Sequence, residues 1–257
     1  MLDSPSKKLF ARQYLLLIFF CILIPFSFSQ DERTFRNEYS YLLNKNTSIE
    51  LKANILSRLV DYQSWGRDPK HKKLIDNISS KKLSEFSKNE KLAYWINSYN
   101  LLTIDLIIKT GETKSIKNQG SLFKNVWKKH KWLINEKPIT LHEIEHEILR
   151  KFGDPRIHFA INCASLSCPD LHNEPFVAKK IDSQLDDVTY NFLKNNSKGL
   201  ILKGGEYFFS KIFKWFSKDF GGKKNTRQFI ANYMPEVKKN KFSGYIEYNW
   251  NLNNIVN

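Results

Sequence analysis

Between Ser87 and Gly111 the chain carries a run that has to be an enclosed helix. Ser87-Lys88-Asn89-Glu90 has the form of a capping box, and Gly111 is a helix-ending residue. Between them Leu92, Ala93, Trp95, Ile96, Leu101, Leu102, Ile104, Leu106, Ile107 and Ile108 cover nearly the whole circumference. A helix apolar on most sides has no face to offer water, so the rest of the chain must wrap it. Glu90, Tyr94, Asn97 and Asn100 nevertheless share about a third of that circumference at 3.6 residues per turn. An unpaired buried amide costs about 1–3 kcal/mol, so these groups must find partners. The stripe either ties neighbouring backbone in place or lines a cleft.

The flanking patterns supply the wrapping. Residues 34–43 read as a short helix with Phe35, Tyr39 and Leu42 on one side. Thr47-Ser48-Ile49-Glu50 resembles another capping box and predicts a helix turning Ile49, Ala53, Leu56 and Val60 inward, broken at Trp65-Gly66-Arg67-Asp68-Pro69. His71, Leu74, Ile75 and Ile78 suit a shorter helix. Trp132-Leu133-Ile134 and Pro138-Ile139 flank a turn, as in a small hairpin. Thr140 then caps a helix over 141–152, closed by Gly153. Residues 156–163 read as a short buried strand, and 181–193 as a helix capped by Asp182 or a neighbour. Leu200-Ile201-Leu202 and Glu206-Tyr207-Phe208-Phe209 pair across Gly204-Gly205. Helices are expected over 210–216 and 226–233, with a late strand over 245–250. The fold class is α+β: a mainly helical single domain with a small, mostly antiparallel sheet and a buried central helix at about 88–110.

The start of the chain reads as a targeting segment. Lys7, Lys8 and Arg12 precede an apolar run over 14–28, too short for a comfortable membrane span, and Ser27-Phe28-Ser29 suits cleavage before Gln30. The expected organisation is a signal peptide over 1–29, N-terminal helices over 30–84 packed on the main domain, and that domain over 85–257. Export, to the periplasm or the exterior, follows, with no stable membrane span after cleavage. The net charge of +15 becomes +13 once Asp3, Lys7, Lys8 and Arg12 are removed. The excess lies in scattered Lys pairs without interleaved aromatics. That excludes a nucleic-acid track and leaves a solvated surface or contact with a peptide, glycan or acidic envelope polymer.

Both cysteines that remain after cleavage, Cys163 and Cys168, fall in Arg156-Ile157-His158-Phe159-Ala160-Ile161-Asn162-Cys163-Ala164-Ser165-Leu166-Ser167-Cys168-Pro169. Five blocks then resemble the domain of unknown function 547 family. They are Leu92-Ala93-Tyr94-Trp95-Ile96-Asn97-Ser98-Tyr99-Asn100, Ile144-Glu145-His146-Glu147-Ile148-Leu149-Arg150, Ile157-His158-Phe159-Ala160-Ile161-Asn162-Cys163, Ser210-Lys211-Ile212-Phe213-Lys214-Trp215 and Tyr248-Asn249-Trp250-Asn251-Leu252-Asn253. The resemblance spans about residue 85 to the end. The family carries no established activity, so the resemblance implies a fold without a reaction. It also implies that Cys163 is the more typical family cysteine, since plant members often have serine at the position of Cys168, and that His146 is kept where His142 is not.

Four readings of the chemistry stand side by side. In the first, a papain- or transglutaminase-like cysteine hydrolase or acyltransferase, Cys163 is the nucleophile and His146 the base. Asn97, Asn100 or Glu145 orients that base, and the loop N–H groups after Cys163 hold an oxyanion. His158 is a secondary base, opposed by strand parity: residues 158 and 163 of a strand face opposite ways. In the second, Cys163 and Cys168 form a structural disulfide within a non-catalytic envelope module. In the third, His142-Glu143-Ile144-Glu145-His146 fits H-E-x-x-H on a helix and binds zinc for hydrolysis. In the fourth, Trp95, Tyr99, Phe213, Trp215 and Trp250 line a binding groove without catalysis. No cofactor motif is present.

Overall fold

The computed structural model describes residues 30–121 and 125–255. The leader, Cys21 and the cleavage point expected over 1–29 lie outside the described residues. Helix α1 (Gln30–Asn46) turns Tyr39, Leu42 and Leu43 inward. Strands β1 (Thr47–Lys52) and β2 (Ile55–Val60) follow as an antiparallel hairpin, correcting the helix expected there. Ala53 and Asn54 take φ of 50° and 61°, a two-residue turn whose twist suits paired strands. Thr47 does not cap forward; its hydroxyl donates back to Leu43 O at 2.7 Å. Tertiary contact decides the conformation. Val60 N–H donates to Asn253 O at 2.8 Å, Ile255 N–H to Val60 O at 3.0 Å, and Ile55 and Leu59 pack on Leu166. A cap contributing about 1 kcal/mol cannot compete with that anchoring.

Helices α2 (Tyr62–Arg67) and α3 (Pro69–Ser80) are split at Asp68, whose carboxylate accepts from Lys70 N–H at 3.1 Å to start α3. Helix α4 (Lys88–Thr110) is the buried centre. Its capping box is complete: Ser87 Oγ accepts from Glu90 N–H at 3.3 Å, and Glu90 accepts from Ser87 N–H at 2.8 Å. Gly111 ends it at φ 61°. The polar stripe ties down backbone. Asn97 holds both polar groups of Phe176, at 2.8 and 2.9 Å. Asn100 donates to Ala160 O at 2.9 Å and accepts from Asn162 N–H at 2.8 Å.

Helix α5 (Val126–Lys129) leads to the expected hairpin of β3 (Trp132–Ile134) and β4 (Lys137–Ile139). The helix predicted over 141–152 is present and is capped at Thr140, whose hydroxyl accepts from Glu143 N–H at 3.2 Å while Glu143 accepts from Thr140 N–H at 2.8 Å. Its winding is irregular: Glu143–Ile148 has π-helical spacing, Leu149–Phe152 tightens to 3-10, and Gly153 ends it at φ 75°. Single π turns concentrate at functional sites, and this one carries Glu145 and His146.

Where a buried strand was expected, α6 (Ile157–Ala160) is a helical turn. Asp154-Pro155 is the start signal. Asp154 accepts from Arg156 N–H at 2.9 Å, and the N–H groups of Ile157, His158 and Phe159 each bond back three residues. The parity that set His158 against Cys163 therefore does not apply. Helix α7 (Ile181–Lys194) follows Lys180 with no side-chain cap, and Asp182 instead pairs with Arg156 at 2.7 Å. Strands β5 (Leu200–Lys203) and β6 (Glu206–Phe209) form the expected hairpin. Helices α8 (Ile212–Trp215) and α9 (Gly222–Tyr233) come next. Strand β7 (Lys241–Tyr245) pairs parallel to β6, so the late strand falls earlier than expected. Residues beyond it turn to the cysteine loop. Leu166 N–H donates to Asn251 O at 2.9 Å, Ser167 N–H to Asn249 O at 3.2 Å, and Asn253 N–H to Ala164 O at 3.2 Å. Among the described residues no helix is long and apolar enough to cross a membrane.

Candidate functional site

The cysteine loop is built to hold one sulfur at a cavity. Asn100 fixes the backbone entering it, and Asn162 closes it, donating to Pro169 O at 2.7 Å and accepting from Ala164 N–H at 2.7 Å. Ala164 sits at φ 59°, a left-handed conformation rare for a residue with a side chain, and one that concentrates at functional sites. Cys163 is half-buried and opens onto a cavity of about 200 Å3. Glu145, His146, His158 and Trp215 also line it. Ser165 Oγ lies 3.1 Å and Tyr248 Oη 3.3 Å from the Cys163 sulfur. Cys168 lies behind, buried, its sulfur accepting from Cys163 N–H at 2.8 Å.

This environment sets the charges. Burial opposes ionisation of Cys163, but hydrogen bonds from Cys168, Ser165 and Tyr248 outweigh it and hold the thiol below its ordinary range. Burial, then the hydrogen bond and charge of Cys163, push Cys168 far up. Burial, reinforced by the charge on Cys163, raises Glu145 to about 7, while Glu145 accepts a hydrogen bond from Tyr99 Oη at 3.2 Å. Burial, with the charges of His142 and Arg150, brings His146 down to about 4. Arg150 donates to His146 Nδ1 at 2.8 Å, and a guanidinium has no lone pair to offer. The imidazole is therefore neutral, with its proton on Nε2. Arg150 is itself locked on Asp219 by two bonds of 2.6 Å, and Asp219 also meets His158 Nε2 at 2.8 Å. His158 stacks on Phe216, ring centroids 3.9 Å apart.

The structure thus gathers Cys163, Cys168, His142, His146, His158 and Glu145 around one cavity. It does not bring Asn97 there. Both ends of that amide are spent on Phe176. Asn100 acts one step back, through the Asn162 backbone. The expected row of loop N–H donors is also spent. Ala164, Leu166 and Ser167 N–H bond to Asn162, Asn251 and Asn249, and Cys163 N–H to Cys168. Only Ser165 N–H turns toward the sulfur. Cys163 and Cys168 are free thiols, not the disulfide of the second reading. The zinc reading loses its parts: Glu143 is used by the capping box, and a guanidinium sits on His146. Among the described residues no set of three or more His, Cys, Asp or Glu could hold a metal ion.

Four contributors escaped sequence reasoning: Arg150, Ser165, Asp219 and Tyr248. Arg150 had a signal, standing one helical turn after His146. Tyr248 stood within a recognised block. Asp219 had none, lying in a turn between α8 and α9.

Residues 83–193 match the family model described as protein of unknown function, DUF547. That segment is similar to DUF547. The match takes in α4, the histidine-bearing helix, the cysteine loop and α7, and so Glu145, His146, Cys163 and Cys168. Tyr248 and Trp250, which line the cavity, and Asp219, which holds Arg150 and His158, follow the matched DUF547 span. No curated protein and no solved structure gives a significant match to the chain.

Glu145 and His146 impose opposite pH dependences on stability. Folding raises the Glu145 pKa from 4.5 to about 7, so stability falls as pH rises through that window. Folding lowers that of His146 from 6.5 to about 4, so stability rises with pH through its window. Glu145→Gln removes the first effect only. Between about pH 4.5 and 6.5 the variant is expected to gain on the order of 2 kcal/mol relative to wild type, read by denaturant unfolding at both pH values. Parallel profiles for the two proteins would mean that Glu145 titrates as an ordinary surface carboxylate.

Proposed function

We propose that this protein is a cysteine-dependent hydrolase or acyltransferase of an exported compartment, with Cys163 as nucleophile. The observation that carries the reading is the Cys163 sulfur, cavity-facing and held by Ser165, Tyr248 and the Cys168 thiol. Such contacts stabilise a thiolate, and the thiolate is the reactive form.

The division of labour differs from a papain-type pair. His146 is neutral at pH 7 and its Nδ1 is occupied, so it does not take the thiol proton. Glu145, poised at about 7, is the proton acceptor and later the donor to the leaving group, since a catalytic pKa near the working pH serves both steps. Cys163 transfers its proton to Glu145 and attacks an acyl carbonyl. His146 Nε2–H, the Tyr248 hydroxyl and Ser165 N–H are the donors available to the resulting oxyanion, because the N–H groups of Cys163, Ala164, Leu166 and Ser167 are committed elsewhere. Collapse of the adduct expels the leaving group with the proton from Glu145. Water or an acceptor amine then resolves the thioester. Export rests on the N-terminal pattern of 1–29.

Iodoacetamide labelling of Cys163 across pH 5 to 10, with peptide mapping, tests the nucleophile. The expected midpoint lies well below the value of about 8.5 for free cysteine. A midpoint at or above that value removes the activated thiol and leaves a binding module walled by Trp127, Trp215 and Trp250.

A further inference from the structure

We propose that Cys163 is a site of reversible oxidation by hydroperoxides, with Cys168 as its resolving thiol. The two cysteines are neither a fixed staple nor independent thiols. A turn closed by Cys168 N–H to Ser165 O at 3.0 Å folds the loop back, so that the Cys168 sulfur sits 2.8 Å from Cys163 N. Cys163 faces the cavity while Cys168 is 4% exposed, so a reagent entering the cavity meets Cys163 first.

The chemistry balances with a hydroperoxide as the only added reactant. The Cys163 thiolate attacks the distal peroxide oxygen and the O–O bond breaks. Cys163 becomes a sulfenic acid, and the peroxide leaves as water or an alcohol. The Cys168 thiol then displaces the sulfenic hydroxyl. An S–S bond forms, the S–O bond breaks, and water carries off the Cys168 proton. Both sulfurs together give up two electrons to the peroxide. A thiol donor reverses the change. Forming the disulfide turns the Cys163 sulfur away from Ser165 and Tyr248, so the oxidised protein has no nucleophile at the cavity. The proposal does not depend on acyl transfer, because it needs only the two sulfurs and the cavity.

The test treats the reduced full-length protein with hydrogen peroxide, followed by dimedone trapping, intact mass and peptide mapping. Wild type is expected to lose two hydrogen atoms, link Cys163 to Cys168, and return to two thiols with dithiothreitol. Its reaction is expected to be about tenfold faster than that of free cysteine at pH 7. Cys168→Ser, near-isosteric and checked for folding by circular dichroism, is expected to trap dimedone at Cys163 and then to overoxidise irreversibly. Acylation of the reduced wild type by p-nitrophenyl acetate, read separately by intact mass, separates the two proposals, because disulfide formation without an acyl adduct keeps the redox pair and removes acyl transfer. Equal dimedone trapping in wild type and Cys168→Ser, or oxidation of wild type no faster than free cysteine, overturns the redox pair.

Discussion

Cys163→Ala is expected to abolish the fast, stoichiometric phase of covalent acylation. Brief incubation with an activated ester such as p-nitrophenyl acetate, followed by intact mass, should give a single rapid acyl adduct on wild type and no rapid adduct on the variant. The reason is positional. Cys163 is the more exposed of the two thiols lining the cavity, and Cys168, buried and pushed far above its ordinary pKa, carries almost no thiolate to take over. Lysines will also acylate slowly. The diagnostic signal is therefore the fast, stoichiometric phase, which should vanish. Stability should change modestly, because the lost contacts, chiefly those to Ser165 and Tyr248, are each worth about 1 kcal/mol or less at a half-buried sulfur. An alanine variant that folds normally and still acylates in the fast phase sinks the nucleophile reading. Serine at the same position keeps the hydrogen bonds but raises the pKa of the attacking group, and it should be nearly as inactive.

Asp219→Ala is expected to cost about 3 kcal/mol of stability and to disturb the cavity at the same time. The carboxylate makes three short charge-assisted contacts, two to Arg150 and one to His158. Its removal strands a buried imidazole and a half-buried guanidinium. His158 and Arg150 hold the Asp219 pKa far below the usual carboxylate range. A depressed folded pKa means stability that is present above the unfolded value of about 3.9 and lost as pH falls below it. The variant should accordingly show a weaker acid-induced decline than wild type in denaturant titrations below pH 4. Freed from Asp219, Arg150 can leave His146 Nδ1, and the His146 titration followed by NMR should move up from about 4 toward 6.5. A variant that loses stability while the His146 titration stays put would confine Asp219 to packing.

What could be read from residues alone was whatever is fixed within a turn or two of chain. The capping box at Ser87, the hairpins around Asn135 and Gly204, and the Thr140-to-Gly153 helix carry their own signals, and each has the expected form. The failures have more than one origin. Residues 47–60 carry a cap pattern, but the neighbour that decides their conformation is Asn253. Residues 156–163 look strand-like in apolar content, yet Asp154-Pro155 just before them starts a helical turn. At the site, residue types picked out Cys163, His146 and Glu145 together. They could not say that Arg150 would occupy His146 Nδ1, or that the stripe amides would be spent on Phe176 and Ala160. Hydrogen-bond partners decide which of two adjacent side chains moves a proton, and spacing does not contain them.

The clasp between residues 249–253 and the cysteine loop has a consequence for biosynthesis. Cys163 leaves the ribosome 85 residues ahead of Tyr248, and the carbonyls that fasten Leu166 and Ser167 arrive later still. During translation, at about 5–20 residues per second, the nascent thiol lacks one of the hydroxyls that acidify it. Its full set of partners is complete only when the final stretch docks, so on the proposed function the unfinished polypeptide carries a less reactive thiol than the finished fold.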